Sequence, residues 1–217
     1  MSELSVKTFE RDFTFVEKLV RSRLFWLIFV VLGFSYPIFR SVNRVLPPTV
    51  PPMFSLPEYT FTNEYGKAFG SHELKGRFYI ANFMFTTCPS TCPALLKKVQ
   101  KIQKRVRGLG TKVALVSFTV DPDNDTPKVL FKTSRKYQTN PHVWTFLTSD
   151  YDSVEKLLLK GFKVPMEQME DASVYDIAHT EKLVLVDDQG RVRSYYDSDK
   201  VGIDKLMVDL GLLINAM

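Results

Sequence analysis

Residues 78–86, FYIANFMFT, form an apolar run with no period of two. A strand with one wet face alternates apolar and polar residues. An unbroken run suits a strand covered on both faces, and that requires helices on each side of a sheet. A second such run follows at 112–120, KVALVSFTV. Between the two, Leu95, Val99, Ile102 and Val106 recur at helical spacing within 94–107. Thr126–Pro127 is a cap followed by proline at the first helical position, so a helix is expected to Tyr137. A short strand at Val143–Leu147 and a helix at Tyr151–Leu159 come next. Lys182–Asp187 and Arg191–Tyr196 read as strands joined by an Asp188-Gln189-Gly190 turn, and Ile203–Ile214 as a closing amphipathic helix. Ahead of all these, 59–69 alternates around a turn at Asn63–Gly66, a hairpin pattern. The order predicts an α/β domain with helices on both faces of its sheet.

The N-terminal part has a different character. Leu24–Phe39 reads LFWLIFVVLGFSYPIF, without a charge. At ~1.5 Å per residue this run spans about 24 Å against a hydrocarbon core of about 30 Å. Arg23 and Arg40 close it and can snorkel to headgroups, Trp26 and Tyr36 lie near its ends, and Pro37 is placed to bend or end the helix. No small-residue cleavage pattern follows, so an uncleaved anchor is expected. Five Lys/Arg precede the run and two follow it closely, which predicts a cytoplasmic N-terminus. Residues 41–57 hold five prolines and suit a semi-rigid extended stalk. The expected organisation is a cytoplasmic tail at 1–23, an anchor at 24–40, a stalk at 41–57 and one folded domain at 58–217. The setting is a bacterial inner membrane, with the domain in the periplasm.

The formal charge of +5 is uneven. Residues 1–45 carry seven basic and four acidic side chains; residues 46–217 carry 22 and 20. A nearly neutral body argues against nucleic-acid binding. The chain has only two cysteines, which excludes a disulfide-dense scaffold and every four-cysteine metal site.

Both cysteines sit in Thr86-Thr87-Cys88-Pro89-Ser90-Thr91-Cys92-Pro93, directly after the first buried strand. Ligands of such sheets bind beyond the carboxyl ends of the strands. Pro93 is tolerated only in a first helical turn, so a helix is expected to begin within 89–92. Its N-terminus presents free amides and a partial positive charge, which favour thiolate. Residues i and i+4 share a helix face, so Cys88 and Cys92 can form a disulfide or hold one ion. A purely structural bridge across so short a loop is a weak staple.

Of the three histidines, His72 and His142 sit in loop contexts and read as surface residues. His179, in DIAHTEKLVLVDDQG, precedes a buried strand. Spacing leaves open whether it faces the cysteines. If it does, two thiolates and an imidazole make a Cys2His set. Two thiolates select soft ions, notably Cu(I), and imidazole accepts copper in either oxidation state. Zinc is the chemical competitor, but a structural zinc site wants a fourth protein ligand and none is evident.

These segments resemble the Sco/SenC family of membrane-anchored copper proteins. FMFTTCPSTCP (83–93), TVDPDNDTP (119–127) and HTEKLVLVDDQG (179–190) look like the family's ordered blocks across 57–217. The resemblance implies a thioredoxin-like fold with a central mixed sheet, one N-terminal transmembrane helix, and copper held by Cys88, Cys92 and His179. It also implies a monomeric domain that assists copper insertion into the binuclear centre of cytochrome c oxidase, with the copper-centre subunit as partner. Family members often carry an acid directly before the histidine. Here that position is Ala178, with Asp176 two residues earlier.

Two other functions compete. A thiol–disulfide oxidoreductase that keeps target cysteines reduced needs Cys88 and Cys92 alone, although such enzymes mostly use the shorter C-x-x-C spacing. A peroxidase of the same fold would not call for a second cysteine four residues on. Within TVDPDNDTP, Asp123 and Asp125 read as turn and cap residues, and Asp121 as a neighbour of the site. Lys97, Lys98, Lys101, Lys104 and Arg105 read first as a solvated helix face, and alternatively as a docking patch for an acidic partner or lipid headgroups.

Overall fold

A computed structural model describes residues 14–42, 49–89, 91–164 and 181–216. The chain divides into two compact units, Met1–Pro47 and Pro48–Met217.

In the first unit, helix α1 (Phe15–Arg21) opens with a reciprocal cap. The Thr14 hydroxyl accepts the Glu17 N–H, and the Glu17 carboxylate accepts the Thr14 N–H at 2.8 Å. The backbone turns extended at Ser22 and a second helix follows, α2 (Arg23–Val42). At 20 residues it is about 30 Å long, the thickness of a hydrocarbon core. It is longer than the apolar run alone because Arg23 and Arg40–Val42 join its ends. Pro37 lies inside the helix and does not end it. Helix α2 is long and apolar enough to cross a membrane, and its side chains are exposed all round.

The second unit is built on one eight-stranded sheet. In chain order its strands are β1 (Phe54–Ser55), β2 (Thr60–Asn63), β3 (Ala68–Gly70), β4 (Phe78–Met84), β5 (Val113–Thr119), β6 (Trp144–Thr148), β7 (Lys182–Val186) and β8 (Arg191–Asp197). Across the sheet they run β1-β8-β7-β4-β5-β6-β2-β3. Among the described residues β4–β5 and β5–β6 are the parallel pairs and the others are antiparallel, so the sheet is mixed. β7 lies antiparallel to β4, with Tyr79 opposite Val186 and Ala81 opposite Val184. The hairpin closes tightly: a Cβ on Gly70 would stand 2.0 Å from the Tyr59 carbonyl oxygen.

Strands β4 and β5, which take up most of the two apolar runs, are buried along their whole length, as expected of strands covered on both faces. Alternate residues feed two cores. Phe78, Ile80, Met84, Val113 and Leu115 meet the helices α3 (Thr91–Val106), α4 (Pro127–Lys136) and α6 (Lys200–Asn215). Tyr79, Ala81, Phe83, Val116 and Phe118 meet the β2–β3 hairpin and helix α5 (Tyr151–Lys156), which continues as a wide π-type turn to Phe162. Phe118 centres this second core, ringed by Tyr59, Phe61, Phe83 and Phe162 at centroid distances of 5.3–6.0 Å.

The proline-rich stretch expected as a stalk to residue 57 joins the sheet earlier. The Met53 N–H donates to Val192 O, and the Leu56 N–H to Gly190 O, which makes Phe54–Ser55 an edge strand. This pairing was illegible because two residues between prolines carry no strand period. It is held by Asp187, the fully buried first residue of the β7–β8 turn. One Asp187 oxygen accepts the N–H groups of Gln189 and Arg191; the other accepts Nε–H from Arg191 at 2.7 Å and Arg193 at 2.8 Å. Arg193 also donates to Val50 O at 2.6 Å, so one carboxylate steadies both the turn and the incoming chain. Burial alone would raise the Asp187 pKa; the two amides and two guanidinium groups hold it below the usual carboxylate range. A group depressed on folding stabilises above its unfolded pKa of about 3.9, and that stability is lost as pH falls through the folded value. Asp187→Ala is therefore expected to cost about 3 kcal/mol in urea unfolding at pH 7, and the gap to wild type should shrink below about pH 4. A pH-independent gap would remove the charge argument.

Candidate metal and thiol site

The site starts where β4 runs out. Its last residue, Met84, is followed by Phe85, Thr86 and Thr87, and then by Cys88. Helix α3 begins at Thr91, inside the window that Pro93 imposes. Its first turn brings the cysteines together. The Cys92 N–H donates to Cys88 Sγ at 3.4 Å, and the Thr91 hydroxyl lies 3.3 Å from the same sulfur. An amide of a helix N-terminus aimed at sulfur is an arrangement that suits a negatively charged acceptor. The two cysteines are not joined in a disulfide; both are buried, each residue 7% exposed, and both belong to the core beneath α3.

The two sulfurs differ in setting. Cys88 lies between the exposed residues Thr87 and Pro89. Cys92 borders a hollow of about 50 Å³ between α3 and α4, lined also by Phe85, Pro93, Lys136 and Tyr137. Burial pushes the Cys92 thiol up to about 12, and the neighbouring Cys88 adds to the rise. The buried Tyr137 phenol is itself raised, first by burial and then by facing Cys92. Gln100 of α3 fixes this corner by donating to Tyr137 O at 2.8 Å.

What aims the cysteine turn is the end of β5. Asp125 is fully buried, and its carboxylate accepts the Thr86 N–H at 3.0 Å, the Thr86 hydroxyl, and the Thr119 hydroxyl at 2.5 Å. Asp121 accepts the Thr87 hydroxyl at 3.3 Å and is steadied by the Asn124 amide at 2.9 Å. Asp121 thus stands beside the site, as expected. The cap role expected of Asp125 is a correction: Thr126 is the N-cap residue, without a side-chain cap bond, and Asp125 turns inward to hold the cysteine turn. The D-T-P pattern hid this, because it fits a helix start equally well. Burial raises the Asp125 pKa, against the pull of the three hydroxyl and amide donors.

His72 and His142 precede β4 and β6, at the opposite end of the parallel strands from the cysteines. Both are exposed, and His72 pairs with Glu73 at 3.5 Å. Among the described residues, no three Cys, His, Asp or Glu side chains group closely enough to hold a metal. His179, Ala178 and Asp176 lie outside the described residues. Two of the three expected ligands are thus brought together, in a geometry that fits a soft ion or a reversible disulfide.

Two outcomes follow from this geometry. In the reduced protein at pH 8, a thiol with pKa about 12 is only ~0.01% thiolate, so iodoacetamide should modify Cys88 well before Cys92 in a mass-spectrometric time course. Asp125→Ala strands one amide and two hydroxyls; it should cost about 1–3 kcal/mol in urea unfolding and speed Cys88 alkylation. An unchanged alkylation rate would show that Asp125 does not hold the turn.

A family model described as SCO1/SenC matches residues 52–213. The chain is 31% identical over 159 residues to the SCO1 protein homolog of Bacillus subtilis (strain 168), covering 72% of this chain and 81% of that one. It superposes with a TM-score of 0.63 at 30% identity on BsSco, described as a member of the Sco family of cytochrome c oxidase assembly proteins with a disulfide switch; 73% of this chain and 92% of that chain are covered. Bradyrhizobium japonicum ScoI with copper bound shares the fold, with a TM-score of 0.61 at 24% identity over 73% of this chain and 99% of that one. The thioredoxin-like architecture expected from the sequence is therefore present, and with the family model spanning most of the chain, this protein belongs to the SCO1/SenC family.

Proposed function

We propose that this protein is a Sco-type copper chaperone that assists assembly of the binuclear copper centre of cytochrome c oxidase, with the copper-centre subunit as its partner. Copper is its cargo, held by Cys88, Cys92 and His179. The observation that carries this reading is the pair of thiols, not joined in a disulfide, that meet where the turn after β4 enters the first turn of α3, at the carboxyl end of the central strand. Two further facts support it. β7 runs antiparallel to β4, so its first residue, Lys182, lies at the cysteine end of the sheet. ScoI of Bradyrhizobium japonicum, which shares the fold, holds copper. Two thiolates and one imidazole satisfy Cu(I), and a shell of three leaves room for a target thiolate to enter before the ion leaves.

In this role α2 anchors the chain in a bacterial inner membrane, with residues 1–23 in the cytoplasm and the domain, a monomer, in the periplasm. The proline-rich stretch within 41–57 links this anchor to the domain. The positive flank of α2 supports this orientation.

A second reading is favoured by the unequal settings of the two thiols. A Cys88 thiolate can attack a disulfide in a target, forming a mixed disulfide and releasing one target thiolate. Cys92 then attacks Cys88 Sγ, releasing the second. The target gains two electrons and the Cys88–Cys92 pair becomes a disulfide. The disulfide switch described for BsSco agrees with such chemistry. Reduction of target thiols and delivery of copper to them are compatible steps.

Titration of the reduced full chain in detergent with Cu(I), against a competing chelator, should show one ion per chain. Cys88→Ser or Cys92→Ser should abolish tight binding, and His179→Ala should weaken it at least about tenfold, ~1.4 kcal/mol. Affinity indifferent to His179 would reduce the site to a dithiol. Oxidase assembly in cells separates the roles: His179→Ala with full assembly, beside Cys88→Ser with none, would select the redox reading.

A further inference from the structure

The near-neutral charge of the domain conceals a strong separation. From Thr91 to Lys112, helix α3 and the short turn after it, the chain carries seven Lys/Arg and no acid; α4 carries four and none. The rest of residues 46–217 holds 11 basic and 20 acidic side chains. A helix face that serves solubility alone mixes both signs, because opposite charges at i, i+4 support a helix and like charges oppose it. Here the spacing is used the other way. Lys97, Lys101 and Arg105 make one i, i+4 row of cations, and Lys128, Lys132 and Lys136 make a second.

The fold sets the two rows on one face. α3 and α4 cover the same side of the sheet, and α3 is zipped to the chain that leaves α4. Gln100 donates to Tyr137 O at 2.8 Å, while Gln103 donates to Gln138 O at 3.2 Å and accepts the Asn140 N–H at 2.8 Å. Two of the cations are paired: half-buried Lys98 bonds to Glu181 and to Ser198 Oγ at 2.9 Å, and Arg105 pairs with Asp204 at 2.7 Å. The other nine are exposed. Among the described residues of the two helices, Phe131 is the one exposed large apolar side chain, and its ring packs edge-on against Tyr65. The patch also reaches the thiols. Pro93, Thr133 and Lys136 border the hollow beside Cys92, with the Lys136 ammonium over the Tyr137 ring at 5.6 Å. A body seated on these helices therefore lies next to the cysteine turn.

We infer that the α3–α4 face is the docking surface for the protein that exchanges copper or electrons at Cys88 and Cys92, and that this partner meets it with an acidic rim beside its own thiols. The inference rests on the proposed function and adds to it the surface and the chemistry of recognition. Complementary charge speeds and orients an encounter without the apolar burial that would make the complex slow to part, which suits a donor that must release its cargo. A bilayer is the competing occupant. A helix lying among headgroups sets aromatic or aliphatic side chains beside its cations, and α3 exposes none.

Association kinetics test the inference. The full chain and the oxidase copper-centre subunit are each placed in phosphatidylcholine nanodiscs, and binding is timed by surface plasmon resonance between about 0.02 M and about 0.5 M salt. Wild type should associate at least about tenfold faster at the low end. Lys97→Glu with Lys101→Glu, or Lys132→Glu with Arg135→Glu, should remove most of that acceleration. Lys156→Glu with Lys160→Glu, on the α5 side of the sheet, should slow association less than about twofold, and all rates should converge at high salt. Each variant should bind Cu(I) as wild type does and, because the substituted residues are exposed, unfold within a few degrees of it. Equal slowing from the α5 pair, or a rate indifferent to salt and to the α3 and α4 reversals, overturns the inference while the copper reading stands. Discs that also carry phosphatidylglycerol form a second arm. If anionic lipid slows wild type and the reversals restore its rate, the face belongs to the bilayer and the inference falls. If wild type does not associate with the subunit in either disc, the partner itself is wrong, and the inference falls with it.

Discussion

Asp125 carries a carboxylate with no access to water, lodged between the ends of two parallel strands. Burying such a group is unfavourable unless its oxygens are met, and here they are met by the chain that leads to the cysteines. The consequence is directional. Thr86 cannot move without stranding a buried acceptor, and the chain it holds brings Cys88 to the start of α3, where its sulfur accepts the Cys92 N–H. Asp121 repeats the device one residue on, through Thr87. The loop is held by a neighbouring strand end, and the two thiols are not joined in a disulfide.

The same economy recurs at the other end of the sheet. Asp187 gathers two amides and two guanidinium groups at the β7–β8 turn, and Arg193 passes that hold to the chain entering from residue 50. The two aspartates respond oppositely to burial. Asp187 has charged donors and is held low, whereas Asp125 has only neutral donors and is pushed up. The first stabilises as an anion; the second tolerates its charge because three groups depend on it.

Much of this architecture was legible in the chain. Runs without alternation at 78–86 and 112–120 demanded cover on both faces, and the helices at Thr91–Val106 and Lys200–Asn215 supply part of it. Pro93 bounded the start of α3 to within four residues, because proline's missing N–H is harmless only in a first turn. The strand at Phe54–Ser55 was not legible, since its two residues owe their conformation to β8 alone. Nor was the role of Asp125. A short acid before Thr-Pro fits a cap by local rules, and only the approach of Thr86, 39 residues earlier, gives it a different partner.

The sequence by itself determined the elements and the chemistry: an apolar helix at the N-terminus, two covered strands, and a thiol pair at a strand-to-helix junction. Those follow from local periodicity, from proline's geometry and from the four-residue spacing of two cysteines across a helix start. Only the tertiary structure decided which distant groups meet. The order β7-β4-β5, the inward turn of Asp125 and the bonds from Lys98 of α3 to Glu181 and Ser198 each join residues far apart in the chain. Such contacts are set by the packing of whole layers, which no window along a sequence contains.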